Sequence, residues 1–188
     1  MKITTFITSL VFLCAGMCCP PEDDHDYENF EFDAPGLIEI QNDGNVFNQN
    51  DTLWVKTIIP NTLFDEDGEE IDLLELRGIN QNAYLGLNLY LENGFDQPIP
   101  IILSEDEIFP ITGTVTYQYS IDVNTTEVNG QIQSDFGIVL KEKGDYFLGS
   151  SYLPNPLSVY LEGENYNQIL INTNFANQDS DRFQFSVE

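Results

Sequence analysis

The chain has 188 residues, with 32 acidic side chains against six Lys and Arg and a formal net charge of −26. Such a surface repels nucleic acid and anionic lipid headgroups, so DNA and RNA binding are excluded as expectations, while a basic partner or a cation is favoured. The length suits a single domain with a hydrophobic core of its own. No disulfide can support that core, because Cys14, Cys18 and Cys19 are the only cysteines and all precede it.

A lone Lys2 is followed by an apolar run from Ile3 to Met17, small residues, and then Pro20-Pro21-Glu22-Asp23-Asp24-His25-Asp26. That order fits a secretory signal peptide. The run is at the short end for a membrane-spanning helix. An uncleaved anchor and a plain secreted protein are the alternatives. Ala15-Gly16-Met17-Cys18-Cys19 resembles the lipobox of bacterial lipoproteins, in which cleavage before a cysteine accompanies its acylation. Several acyl chains on one residue give stable anchoring where one chain is marginal. The resemblance implies Cys19 as the lipidated residue and Cys18 as its alternative, since the family prefers a small residue before the modified cysteine and Met17 is bulky. Glu22-Asp23-Asp24 resembles the acidic export signal of Bacteroidota surface lipoproteins. Together these imply attachment to the outer membrane through an N-terminal lipid, at the cell surface or on the periplasmic face. They also imply an outer-membrane protein as a class of partner. The expected division is a lipoprotein signal peptide over 1–18, an acidic tether over 19–34 and one β-sandwich domain over 35–188.

From there on, period-two alternation dominates. Leu37 to Gln41 is the first expected strand, and Asn50 to Val55 begins the second, with Trp54 expected in the core. Asp65 to Leu76 reads as a loop with a helical turn. Leu85, Leu87, Leu89 and Leu91 share one face of a strand, with Tyr84, Asn88 and Tyr90 on the other. Asn93-Gly94 is a hairpin signal. Pro98, Pro100 and Pro110 cannot donate to a ladder, so 99–104 is an edge strand or irregular. Val115 to Val123 alternates as one strand. Lys143-Gly144 is expected to turn a hairpin between the stripes Phe136-Ile138-Leu140 and Tyr146-Leu148. Leu157-Val159-Leu161 and Phe183-Phe185-Val187 complete the set. About eight to ten short strands predict an all-β, antiparallel sandwich.

Two segments resemble bacterial immunoglobulin-like domains. Asn50-Asp51-Thr52-Leu53-Trp54-Val55 is similar to their second strand. Glu142-Lys143-Gly144-Asp145-Tyr146-Phe147-Leu148 is similar to the tyrosine corner, with Leu148 where antibody domains carry a cysteine. The long interval between the two segments implies inserted strands.

His25 is the only histidine and falls in the expected tether, away from any place where a fold would hold it as a catalytic base. There is no Cys and His cluster of zinc type and no glycine-rich phosphate loop before a helix. A glycosidase needs only two carboxylates flanking a cleft. With 32 acids, solvated surface charge is the simpler account. Asp65, Asp67, Glu69 and Asp72, around a turn at Gly68, form the candidate calcium site. Their spacing is not that of an EF-hand, and a plain acidic loop is the simpler reading. Glu105-Asp106-Glu107 is a lesser candidate. Tyr84, Asn88 and Tyr90 form the candidate ligand site, two rings beside an amide that can stack on and bond a sugar; packing beneath a neighbouring element is the commoner fate of tyrosines in sheets. Asp51-Thr52-Leu53 resembles a Bacteroidota O-glycosylation motif. The functional expectation is a lipid-anchored, non-enzymatic surface lipoprotein, a binding or scaffolding module accessory to an outer-membrane assembly. The alternatives are a glycan- or peptide-capturing lipoprotein serving an importer, and a carboxylate-based hydrolase.

Overall fold

Alternating apolar and polar residues put their side chains on opposite faces of a strand, and the chain builds almost entirely from such strands. A computed structural model describes residues 28–188 except 66, 79–81, 95, 96 and 118, and for Asn165 the backbone alone. The signal segment, Cys18, Cys19 and His25 lie outside the described residues. In chain order the elements are β1 (Asn29–Asp33), β2 (Ile38–Ile40), β3 (Val46–Phe47), β4 (Thr52–Ile59), β5 (Thr62–Phe64), β6 (Glu70–Asp72), α1 (Leu73–Arg77), β7 (Ala83–Leu91), β8 (Ile99–Pro100) and β9 (Ile108–Thr112). They continue with β10 (Thr114–Thr116), β11 (Ile121–Asn124), β12 (Thr126–Val128), β13 (Gln131–Val139), β14 (Gly144–Ser150), β15 (Leu157–Glu162), β16 (Gln168–Thr173) and β17 (Arg182–Val187).

The larger sheet runs β1-β16-β15-β7-β14-β17-β3, with β8 and β11 on the other edge of β7 and β10 beyond β11. The smaller sheet runs β12-β13-β4-β2, with β9 sharing an edge of β13. A separate hairpin joins β5 to β6. Among the described residues the strand-to-strand ladders are antiparallel except β1 with β16 and β17 with β3, so the larger sheet is mixed and the smaller one antiparallel. Leu53, Val55, Phe136 and Ile138 of the smaller sheet share one buried cluster with Leu85, Leu87, Leu148, Val159, Ile171 and Phe183 of the larger. The protein is therefore all-β and sandwich-like, with its core between the two layers. Each of these side chains contributes about 1.5–3 kcal/mol by leaving water.

Strand β7 is the hub of the larger sheet. It bonds β15 and β14 along one edge, β11 and β8 along the other. β14 and β15 lie end to end on β7, and residues 151–156 leave the sheet between them. Gly86 permits that excursion: a Cβ there would lie 2.5 Å from Ser151 Oγ.

Several expectations change. Asn29–Asp33, assigned to the tether, is an edge strand, because Phe32 is buried while β1 pairs with β16. Val115 to Val123 is not one strand but the hairpin β10–β11. Val115 pairs directly with Val123, so both point the same way and the alternation survives the reversal. Lys143-Gly144 turns no hairpin; it lies where the chain crosses from β13 in the smaller sheet to β14 in the larger. Tyr146 Oη donates to the Glu142 carbonyl, four residues back, at 3.0 Å. Trp54 is not core. It is half-buried on the outer face of β4, edge-on to Phe109 at 5.3 Å, and both residues flank Gly137 in the register. The 65–76 segment becomes the β5–β6 hairpin and α1, whose N-cap Asp72 accepts from the Leu74 N–H at 2.8 Å. Buried Arg77 ends that helix and pairs with Glu127 of β12 at 3.0 Å.

Candidate functional site

Residues directly opposite one another on neighbouring strands share a face. The register therefore lays one row across six strands of the larger sheet: Thr114, Asn124, Tyr84, Tyr160, Leu170 and Glu31. Leu85 and Val159, one residue along, face the core, so this row faces outward. Tyr84 is 41 % exposed and Tyr160 38 %, two rings side by side at the middle of the sheet. Tyr152 extends from the 151–156 excursion beside them and is 77 % exposed.

The Tyr84 Oη donates to Asp122 Oδ1 at 2.6 Å, and Ser120 Oγ donates to the same oxygen at 2.6 Å. Partial burial of the phenol is the largest cause, with the Asp122 bond and charge and the nearby Tyr152 adding to it, that pushes its pKa up to about 12. A phenol whose folded pKa is raised favours the fold fully below its unfolded value near 10. That contribution is lost as pH rises through about 12. Solvent screening keeps it small at a site this exposed. The tyrosinate absorbance of the protein minus that of Tyr84→Phe is expected to show one group titrating near 12. Asp122→Asn removes the bond and the charge but leaves the burial, and is expected to lower that group part of the way. A difference titration centred at 10 in the unsubstituted protein would rule out the bond.

Asn88 and Tyr90 share the strand face of Tyr84 but are buried. Tyr90 stacks on Phe147 at 4.8 Å, and the Arg182 guanidinium sits 4.8 Å over the Phe147 ring. The Tyr90 Oη donates to the Ser150 carbonyl at 2.9 Å and itself accepts from Asn88 Nδ2 at 3.5 Å. Of the three residues expected to meet a ligand, only Tyr84 reaches solvent, and its exposed companions are Tyr160 and Tyr152.

The acidic loop is held by its own backbone. Asp65 Oδ1 accepts from the N–H groups of Asp67 at 3.0 Å and Glu69 at 2.8 Å, while Asp72 serves as the cap of α1. Among the described residues no three His, Cys, Asp or Glu side chains converge as a metal site. Asp106 of the lesser acidic cluster pairs with Lys141, whose ammonium, with Ser104, holds that carboxyl down to about 2. Thr52, in the motif similar to an O-glycosylation site, is half-buried.

No protein-family model matches the chain, and no curated protein matches it. One similar solved structure is the human F-spondin reeler domain (fragment 1), 12 % identical over 90 % of this chain and 100 % of that one, with a TM-score of 0.38. So distant a likeness carries no argument. Tyr160 was visible in the sequence as the outward member of the Leu157-Val159-Leu161 stripe. That it would stand beside Tyr84 depends on the β7–β15 register, which no local pattern shows. Asp122 stands at a polar position of the Val115 to Val123 alternation, and Tyr152 carried no signal of its own.

Proposed function

We propose that this protein is a lipid-anchored, non-enzymatic binding module of the outer membrane, tethered through Cys19 or Cys18. Its body is an immunoglobulin-like sandwich with inserted strands. The order β2-β4-β13-β12 supports that body as the A-B-E-D sheet of such a domain, and β3-β17-β14-β7 supports it as the G-F-C sheet with a split first strand. The Tyr146 corner falls on the matching strand β14.

The observation that carries the binding reading is the pair Tyr84 and Tyr160, exposed and adjacent in the middle of a sheet. Tyrosine combines a large apolar face with a polar tip and has few rotors to freeze. β7 is bonded on both edges, so the pair is fixed before any partner arrives, which lowers the cost of association.

Two measurements test this. Replacing Cys18 and Cys19 together by serine is expected to abolish acyl labelling and release the protein from membranes; labelled, membrane-bound double variant overturns the anchor. A benzophenone amino acid replacing Tyr160 is expected to give a discrete cross-linked adduct on intact cells. The same group replacing Glu39, on the outer face of the smaller sheet, is expected to give none. Absence of any adduct specific to position 160 overturns the binding face.

A further inference from the structure

Continuing from Tyr160 through Leu170, the exposed row reaches Glu31 on the edge strand β1. There the hairpin β5–β6 lies against β1 and leaves a cleft of about 230 Å³ lined by Glu31, Phe32, Asp33, Phe64, Asp65 and Asn172. Glu31 and Asp33 point outward together. Asn172 Nδ2 donates to Glu31 Oε1 at 2.9 Å and to Asp33 Oδ1 at 3.2 Å, so both carboxylates already converge on one nitrogen. The Phe64 ring at the cleft is 60 % exposed. Three carboxylates and an aromatic face are thus gathered without a basic side chain among them. The six strands of the row, β10, β11, β7, β15, β16 and β1, contain no Lys or Arg, and β11 adds Asp122 to the same negative field.

Charge complementarity selects the occupant of this unpartnered face. Like charges held close with no internal cation repel, and a cationic group relieves them. A bare metal ion is a poor fit, since calcium needs six to eight oxygens at about 2.3–2.6 Å and no such group converges among the described residues. A guanidinium or ammonium fits better, because it spreads its donors over separated acceptors and can lie on an aromatic face. A neutral glycan would use the tyrosines but gain nothing from the field around them. Tyr84 and Glu31 lie three strand spacings apart, about 14 Å, a distance that four or five extended residues cross.

Resting on the binding face proposed above, we propose that its partner is a basic peptide segment of another protein. The segment lies across the strands with its apolar part on Tyr84 and Tyr160 and a lysine or arginine in the Glu31, Asp33, Phe64 and Asp65 cleft.

The test is fluorescence anisotropy with the full chain in neutral detergent. The probes are a labelled dodecapeptide of alternating arginine and tyrosine, its glutamate counterpart, and a labelled neutral β-glucan oligosaccharide. The arginine peptide is expected to bind and the glutamate peptide not. Glu31→Gln with Asp33→Asn is expected to weaken binding about tenfold or more, with a shallower salt dependence. Asp43→Asn with Glu105→Gln removes the same charge from loops outside the row and is expected to change affinity less than about twofold. Equal losses in both double variants would mean attraction to the acidic surface at large and would overturn the cleft. Tyr84→Ala with Tyr160→Ala is expected to cost a similar factor. Glucan binding that this tyrosine variant abolishes, with no peptide binding, would overturn the basic partner while leaving the tyrosine face standing. Peptide binding indifferent to the tyrosine variant would overturn the face itself.

Discussion

Phe136→Ala is expected to cost about 3–5 kcal/mol. Phe136 is fully buried at the middle of β13, between Val55 of β4 and Pro110 of β9 in the register. It belongs to the cluster that both sheets share, so truncation empties a space that neither layer can close without moving strands bonded on both sides. The cost combines the lost transfer of the ring from water with the cavity left behind. No disulfide shores up the folded body. At about 2–4 °C per kcal/mol for a domain of this size, the melting temperature is expected to fall by about 6–20 °C. The urea midpoint should move without a change in slope. Phe136→Leu keeps most of the volume and is expected to lose only about 1–1.5 kcal/mol. An alanine variant within about 1 kcal/mol of the parent would mean that the two layers do not meet at this residue.

Gly113→Val is expected to cost about 3 kcal/mol, from two separate causes. Gly113 is the corner at which the chain leaves β9 in the smaller sheet and enters β10 in the larger. Its φ is +81°, where a β-branched residue is strained. A Cβ there would also lie 2.5 Å from the backbone carbonyl oxygen of Asn124, which cannot swing aside as a side chain could. Asn124 stands opposite Tyr84 in the register, so relief of the clash shifts β11 and with it Asp122. The variant should therefore show a lower melting temperature together with a Tyr84 phenol that titrates below its value of about 12 in the parent. Gly94→Ala is the comparison. Gly94 has nothing within 4 Å of an added Cβ, and the change is expected to stay within about 0.5 kcal/mol. Equal effects at the two glycines would remove Gly113 from its place as a corner.

Much of the layering is legible in the amino-acid sequence. The leucines of β7 alternate without interruption and face the core, and Phe136 and Ile138 do the same in β13. The backward bond of Tyr146 lies within a segment the sequence singles out because it is local, reaching four residues to the Glu142 carbonyl. The candidate ligand site was only a third legible. Tyr84, Asn88 and Tyr90 follow one period-two pattern, yet Phe147 of strand β14, far away in sequence, stacks on Tyr90. Trp54 misled for the mirror-image reason. Its size suggested burial, while its phase along β4 put it outside with Thr52 and Lys56.

The amino-acid sequence by itself determined the strand character of the folded body, the inward and outward faces of its long strands, the heavily negative field and the confinement of every cysteine to the first 19 residues. These follow from side-chain periodicity and charge, which are properties of a strand and its immediate neighbours. Tertiary structure alone decided which outward residues meet. It brought Tyr160 beside Tyr84, converted Val115 to Val123 into a hairpin, and closed the β5–β6 hairpin against Glu31 and Asp33. Register and crossover are set by pairing between distant segments, and a shift of one residue would exchange the exposed face for the buried one while leaving every local pattern unchanged.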